Sequence, residues 1–158
     1  MVNRTREYAL DYPTPPVIDQ PEDHVRALVQ GEVILDTNSP LRVLEKGHPP
    51  TYYIAPSGTA MQYLEPSPKR TTCEFKGEAS YFHLVIGEHR VANVAWYYPE
   101  PKPGYEALAG YIAFYASALD EATVNGEAVD AQAGRFYGGW INSWVEGPFK
   151  GGPTKLNL

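Results

Sequence analysis

Two charged residues, Lys76 and Glu78, lie two positions apart where the sequence predicts a β-strand. Because side chains alternate along a strand, both would lie on one face, about 6.5–7 Å apart. Beside phenols such as Tyr53 or Tyr97, a desolvated lysine could anchor an anion or act as a base, and the glutamate could act as acid or base. With Ser80 on the same face, the sequence predicts an aromatic-walled ligand pocket formed by Lys76, Glu78, Tyr53, Ser80 and Tyr97.

The same residues also fit a simpler interpretation, in which Lys76 and Glu78 form an exposed ion pair on the sheet. Such a pair contributes under about 1 kcal/mol to stability. Gly77 favours the pocket, because a residue without a side chain lets a ligand approach the backbone closely. The position of Lys76 beside that glycine therefore predicts an anchor for a polar or anionic ligand.

Two classes of function stay open. The first is binding, or conversion, of a small polar or anionic molecule in the predicted pocket. The alternative is a non-catalytic homodimeric interaction module, whose excess of tyrosine and tryptophan forms the interface. A deep cavity that contains Lys76 would favour the first, and a flat aromatic patch against a second copy would favour the second.

Other chemistry finds little support in the residue pattern. The sequence lacks a Walker A loop, a Gly-x-Gly-x-x-Gly turn and a Gly-x-Ser-x-Gly elbow. One cysteine and four scattered histidines provide no ligand set with known metal spacing, so we expect neither a metal nor another cofactor. His83 is expected to be a hydrogen-bonded core residue, and Cys73 to be a buried, inert thiol.

A predicted β-hairpin positions the candidate residues. Its strands span 78–86 and 91–98, which are rich in aromatic and β-branched residues, and residues 87–90 join them. If Gly87 pairs with Arg90, Tyr81 faces Trp96 and the apolar face around them is core. A slip of one residue would exchange the two faces. The opposite, mixed face carries Lys76, Glu78, Ser80, Phe82, Leu84, Asn93 and Tyr97.

Short segments bounded by glycine and proline predict further strands at 25–29, 33–36, 41–44, 51–54 and 110–117. The first three are expected to form an antiparallel meander. Ser57–Leu64 is predicted to be a helix that Pro66 and Pro68 end, and 105–108 a single helical turn. The predicted fold class is mostly β: a compact antiparallel sheet or barrel-like single domain with one or two short helices.

Two regions are expected within the 158 residues. Residues 1–23 form an extended proline-rich arm, and 24–158 form a single β domain. The aromatic and glycine-rich C-terminal tail is expected to be ordered, because Trp140, Trp144 and Phe149 would be costly to leave in water.

Composition limits the partners. A net charge of −6 argues against nucleic acid as the main ligand. No apolar run approaches the roughly 20 residues of a membrane span, and the N-terminus lacks the apolar segment of a signal peptide, so no membrane partner is expected. The single cysteine fits a cytoplasmic location.

Several stretches together resemble the bacterial and fungal family called domain of unknown function 427, which is sometimes labelled nucleotidyltransferase-like. The similarity spans about Val25 to Pro153. Its matching pieces are 49–53 (PPTYY), 72–79 (TCEFKGEA), 95–101 (AWYYPEP) and 110–115 (GYIAFY), and the tail pieces 136–141 (FYGGWI) and 147–153 (GPFKGGP) resemble tails in one branch of the family.

The resemblance implies a compact, mostly antiparallel β domain with a short helix, in the cytoplasm, and no settled activity. In the family, the Tyr-Tyr pair is usually followed by proline, an acidic pair and valine. This sequence has 55–59 (APSGT) there, without acidic residues. If those residues carry chemistry in relatives, this protein has lost it or changed ligand. Nucleotidyl transfer is a distant third function, because such enzymes hold magnesium through closely spaced carboxylates and no Asp-x-Asp is present.

Overall fold

The computed structural model describes residues 4–134, 136–153 and 156. Regular structure in this part consists of strands and single 3-10 turns. The strands are β1 (Glu7–Tyr8), β2 (Val17–Asp19), β3 (Val25–Val29), β4 (Glu32–Thr37), β5 (Leu41–Leu44), β6 (Thr51–Tyr53), β7 (Leu64–Cys73), β8 (Gly77–Ile86), β9 (His89–Tyr97), β10 (Ile112–Phe114), β11 (Glu121–Val124), β12 (Glu127–Ala128), β13 (Asp130–Ala131), β14 (Trp140–Ile141) and β15 (Val145–Glu146). The 3-10 turns are Ala9–Asp11, Pro56–Gly58, Met61–Tyr63, Glu106–Leu108 and Ala116–Ala118.

The predicted arm and tail each extend past the described residues, which exclude 1–3, 135, 154, 155, 157 and 158. Within the described part, no helix is long and apolar enough to cross a membrane.

Two four-stranded antiparallel sheets form most of the domain, in the orders β10-β9-β8-β7 and β12-β11-β3-β4. A three-stranded antiparallel sheet has the order β2-β5-β6, and two strand pairs, β1-β15 and β13-β14, tie the N- and C-terminal segments to the body. The prediction of a compact, mostly antiparallel β domain is confirmed. The expected barrel-like closure is wrong, because the sheets of the described residues do not close on themselves.

The β10-β9-β8-β7 sheet separates two apolar cores. Leu84, Ala95 and Phe114 belong to the larger core, which also contains the fully buried Trp140. Tyr81 and Trp96 belong to the smaller core on the other face. The alternation of side chains along β8 and β9 therefore supplies both cores, and the face predicted to be mixed is largely buried.

The central hairpin confirms the predicted pairing of Tyr81 with Trp96. Near the turn the predicted register is wrong: Gly87 and Glu88 alone form the turn, and Val85 pairs with Arg90. A bulge opposite His83 absorbs two extra residues of β9, and Asn93 at its centre has a left-handed backbone with φ of 54°. A shift by two residues preserves the faces, which is why the pairing farther along the hairpin survives.

The helix predicted at Ser57–Leu64 is wrong. Pro56–Gly58 and Met61–Tyr63 are separate 3-10 turns, because Thr59 and Ala60 between them bond to β4. The following prolines, Pro66 and Pro68, lie inside β7, an edge strand with a bulge, where a residue without an N–H is tolerated.

The predicted meander is also wrong in its third strand. β3 pairs with β4 as expected, but β5 joins a different sheet, between β6 and the arm strand β2. The second neighbour of β3 is β11, which lies almost a hundred positions farther along the chain. Local sequence patterns do not predict such long-range pairing.

A buried arginine ties the N-terminal arm to the domain. Arg42 of β5 is 4% exposed and donates two hydrogen bonds to its cross-strand partner Asp19, at 2.7 and 2.9 Å. It also bonds Glu7 of β1 at 3.0 Å, and Tyr12 donates to the same carboxylate oxygen at 2.6 Å. The guanidinium thus joins three chain segments.

Arg42→Met is expected to lower the free energy of unfolding by about 3 kcal/mol, because it leaves Asp19 without its cation and Glu7 with the more distant Arg4, at 3.7 Å. This is the low end for a broken buried pair, since Asp19 and Glu7 keep 39% and 24% side-chain exposure. Urea denaturation measures the loss. Arg90→Met is the control, because it breaks an equally bidentate pair with Glu65 that is half in water, and it should matter much less. Equal losses in the two variants would contradict this account.

Candidate functional site

A cavity of about 310 Å³ lies on the face of the central hairpin that carries Tyr81 and Trp96, next to the smaller core. Aromatic side chains form its walls, and a few charged and polar groups reach it. The lining residues are Val43, Glu45, His48, Pro49, Thr51, Tyr53, Thr71, Thr72, Cys73, Glu74, Phe75, Lys76, Tyr81, Trp96, Tyr98, Tyr115, Gln132, Phe136, Tyr137, Gly138 and Lys150.

The aromatic walls come from strands that face the same core. Trp96 donates its Nε1–H to the Tyr53 hydroxyl at 3.2 Å, and the two rings meet edge to face with centroids 6.4 Å apart. Tyr115 lies closer to Trp96, at 4.6 Å between centroids. Burial raises the pKa of the Tyr53, Tyr98 and Tyr115 phenols, so they stay protonated at neutral pH. The walls are therefore uncharged and rigid.

Lys76 lies in the turn between β7 and β8, not on the strand. The turn is held from outside, because Lys102 donates its backbone N–H to the Lys76 carbonyl at 2.9 Å and its ammonium to the Glu74 carbonyl at 2.9 Å. Gly77 has a left-handed φ of 111°, and the backbone of residues 100–102 packs against its Cα. The close approach to the backbone that Gly77 permits is thus made by residues 100–102 of the same chain.

The Lys76 side chain is 8% exposed and lines the cavity. Its Nζ lies 5.8 Å from the centroid of the Tyr98 ring, a cation–π contact. Among the described residues no carboxylate lies within 4 Å of this ammonium. Burial by itself would lower the Lys76 pKa, but neighbouring groups, among them the Glu45 carboxylate and the Cys73 side chain, outweigh it and raise the pKa. The group is a buried, charged ammonium.

His48 and Gln132 form the polar side of the cavity. Gln132 is 5% exposed, and its Nε2 donates to the Lys150 carbonyl at 2.7 Å and bonds His48 Nδ1 at 3.0 Å. Burial is the main cause that lowers the His48 pKa, the Lys150 and Lys76 ammoniums add to it, and the Glu45 carboxylate opposes it. His48 is therefore neutral at pH 7.

The structure divides the five predicted ligand-binding residues. Lys76 and Tyr53 line the same cavity. Glu78 is exposed on β8, so it does not share a pocket or a face with Lys76, which lies before the strand begins. Ser80 and Tyr97 pair with each other on the opposite face of the hairpin, where Tyr97 stacks on Phe82 with centroids 4.9 Å apart.

Sequence reasoning missed several lining residues. Cys73, expected to be buried, is half-buried and lines the cavity. His83, expected in the core, is half-exposed and accepts a hydrogen bond from the Asn93 N–H at the bulge. The alternation that places Trp96 in the core also predicts Tyr98 on its face. His48, Gln132 and Lys150 have no local signal, because long-range packing brings them together.

No group of three or more His, Cys, Asp or Glu side chains is placed to hold a metal ion in the part of the chain that the structure describes.

The comparisons with known proteins provide one match. The family model described as Domain of unknown function (DUF427) matches residues 17–125, which include β2 to β11 and most of the cavity. A search of curated proteins found no match. The lining residues Gln132, Phe136, Tyr137, Gly138 and Lys150 lie after the end of the family model.

Trp96→Ala is expected to lower the free energy of unfolding by about 3–5 kcal/mol, because it removes a large buried ring and the donor to Tyr53. Urea denaturation measures the change. Trp96→Phe keeps a ring against Tyr115 and should lose less. Unchanged midpoint and slope in Trp96→Ala would show that this face is not core.

Acid is expected to destabilise the parent more than a His48→Gln variant. His48 has a pKa of about 6.5 when unfolded and a lower one when folded. As the pH falls below about 6.5, the unfolded chain binds more protons, and stability decreases until the pH passes the folded value. Urea denaturation between pH 7.5 and 5 compares the two proteins. Parallel pH profiles would contradict a depressed His48 pKa.

Proposed function

Because the chain belongs to the DUF427 family, whose description names no activity, we propose its function from the cavity: this protein binds a small polar or anionic molecule, with Lys76 as the anchor. The observation that carries the proposal is the buried Lys76 ammonium, which has no carboxylate within 4 Å among the described residues.

Burying a charge without a partner is unfavourable, and proteins normally pair such groups or leave them in water. The face of Tyr98 offsets part of this cost by a cation–π interaction. An anionic or oxygen-rich ligand would supply the negative charge or the oxygen acceptors that pair with the ammonium. Because the surrounding aromatic rings keep the local dielectric low, a charge contact with Lys76 would be stronger there than at the surface.

The walls support a ligand with an apolar or aromatic part. A volume of about 310 Å³ lies at the lower end for small-molecule sites, which combine apolar walls with a few polar groups. Tyr53 and Trp96 provide flat surfaces already fixed by their mutual hydrogen bond. Of the predicted site residues, Lys76 and Tyr53 belong to the proposal, and Glu78, Ser80 and Tyr97 do not.

The other predicted functions stay predictions. The homodimeric module is predicted from the excess of tyrosine and tryptophan, and most of these residues are packed within the chain. Nucleotidyl transfer, the cytoplasmic location and the absence of a nucleic acid partner likewise stay predictions.

Lys76→Met is expected to abolish ligand binding while leaving the fold intact. A thermal-shift screen of the parent against nucleotides, sugars and organic acids identifies compounds that raise the melting temperature. Those shifts should vanish in Lys76→Met, because methionine keeps the length of the side chain and removes its charge. The control is Lys46→Met, which changes the net charge equally at an exposed position outside the cavity. If Lys76→Met binds the same compound as tightly as the parent does, the proposal fails.

A further inference from the structure

We propose that the described residues that follow the family match, 132–134 and 136–150, complete the ligand site and make it selective for an oxyanion attached to an aromatic ring. This inference rests on the proposed function and deepens it. Lys150 would be a second anchor, and Gln132 a positioning residue that acts through His48. The family model ends at residue 125, so this part of the site lies outside the residues that the model matches.

The segment is a fixed wall of the cavity. The Gly138 backbone lies against the Trp96 ring so closely that a Cβ at this position would overlap the ring. The Trp140 N–H donates to the Pro50 carbonyl at 2.8 Å, and β14 pairs with β13. Contacts of this kind leave the described part of the segment little freedom to move away from the cavity.

Gln132 determines which nitrogen of His48 carries the proton. Its Oε1 accepts the Gly139 N–H at 3.1 Å, and its Nε2 donates to the Lys150 carbonyl, so the amide has one possible orientation. The second hydrogen of Nε2 then points to His48 Nδ1, which must accept it. A neutral imidazole that accepts at Nδ1 keeps its proton on Nε2. His48 is thereby held as a hydrogen-bond donor through Nε2.

Lys150 adds positive charge on the same side. Its Nζ lies 5.9 Å from the centroid of the Tyr137 ring, as Lys76 lies over Tyr98. His48, Lys76 and Lys150 line the same cavity, and both ammoniums add to the burial that lowers the His48 pKa. Glu45 and Glu74 also line the cavity, at half-buried and exposed positions.

The combination indicates the ligand class. Two ammoniums and an imidazole N–H are donors, and they suit a carboxylate or phosphate with several acceptor oxygens. The adjacent Trp96 and Tyr53 rings suit an aromatic body. Benzoate and phenyl phosphate represent the two sources of this shared chemistry, and benzyl alcohol is the uncharged counterpart.

Isothermal titration of these three compounds into the full chain tests the inference. The parent should bind at least one oxyanion, and Lys150→Met should weaken it about tenfold, the loss of one charge-assisted hydrogen bond. Benzyl alcohol should bind the parent and Lys150→Met equally, and Lys46→Met should match the parent throughout. The stronger of benzoate and phenyl phosphate identifies the preferred oxyanion.

The outcomes separate the two proposals. If Lys76→Met loses the oxyanion but Lys150→Met does not, the inference fails and the proposed function stands. The inference also fails, and the proposed function stands, if neither aromatic oxyanion binds while another compound gives a thermal shift that depends on Lys76. If an oxyanion binds independently of Lys76, both fail.

A second measurement tests the role of Gln132 in the parent protein and in a Gln132→Glu variant. Long-range proton–nitrogen NMR at pH 7 reports which ring nitrogen of each histidine is protonated, and His48→Gln assigns the His48 signal. We expect a neutral ring with its proton on Nε2. Gln132→Glu, which replaces the donor by an acceptor, should move the proton to Nδ1 or protonate the ring. A parent His48 protonated at Nδ1 would overturn the role assigned to Gln132.

Discussion

The pairing of Tyr81 with Trp96 across β8 and β9 is the constraint on which the rest of the domain depends. Because side chains alternate, this register sends Tyr81 and Trp96 to one face and Phe82 and Leu84 to the other. Each face then buries its own core, and the hairpin between them must be apolar on both sides. The cavity lies on the face with Trp96, between residues of the β2-β5-β6 sheet, the turn before β8 and the C-terminal segment.

Two buried cations, Arg42 and Lys76, differ in how their charge is compensated. Arg42 is surrounded by Asp19 and Glu7, which satisfy its charge and geometry and join the N-terminal arm to the body. Lys76 is nearly as buried, but among the described residues no carboxylate lies within 4 Å of its ammonium, which contacts the face of the Tyr98 ring. The first arrangement is complete by itself and holds the fold together. The second lines a cavity and has no carboxylate within 4 Å among the described residues, and this difference motivates a role for Lys76 in binding.

Local patterns predicted the strands β3 and β5 and the pairing at Tyr81, because alternation and turn residues are properties of neighbouring positions. They could not predict the bulge, which depends on one left-handed residue, Asn93. For the site, Lys76 and Tyr53 were predicted to share a pocket, and they do line one cavity. The sequence prediction placed Glu78 on the same face as Lys76, because it assumed one continuous strand. The turn that precedes β8 interrupts the alternation between them. His48, Gln132 and Lys150 depend on contacts across about a hundred residues, which no local pattern encodes.

The central claim is that the Lys76 ammonium is the anchor of a ligand site, and a crystal structure of the protein with phenyl phosphate tests it most directly. The account predicts a phosphate oxygen about 2.7–2.9 Å from Lys76 Nζ, with the phenyl ring against Trp96 or Tyr53. A structure in which Lys76 Nζ is paired with a carboxylate of its own chain, and the phosphate lies elsewhere, would contradict it.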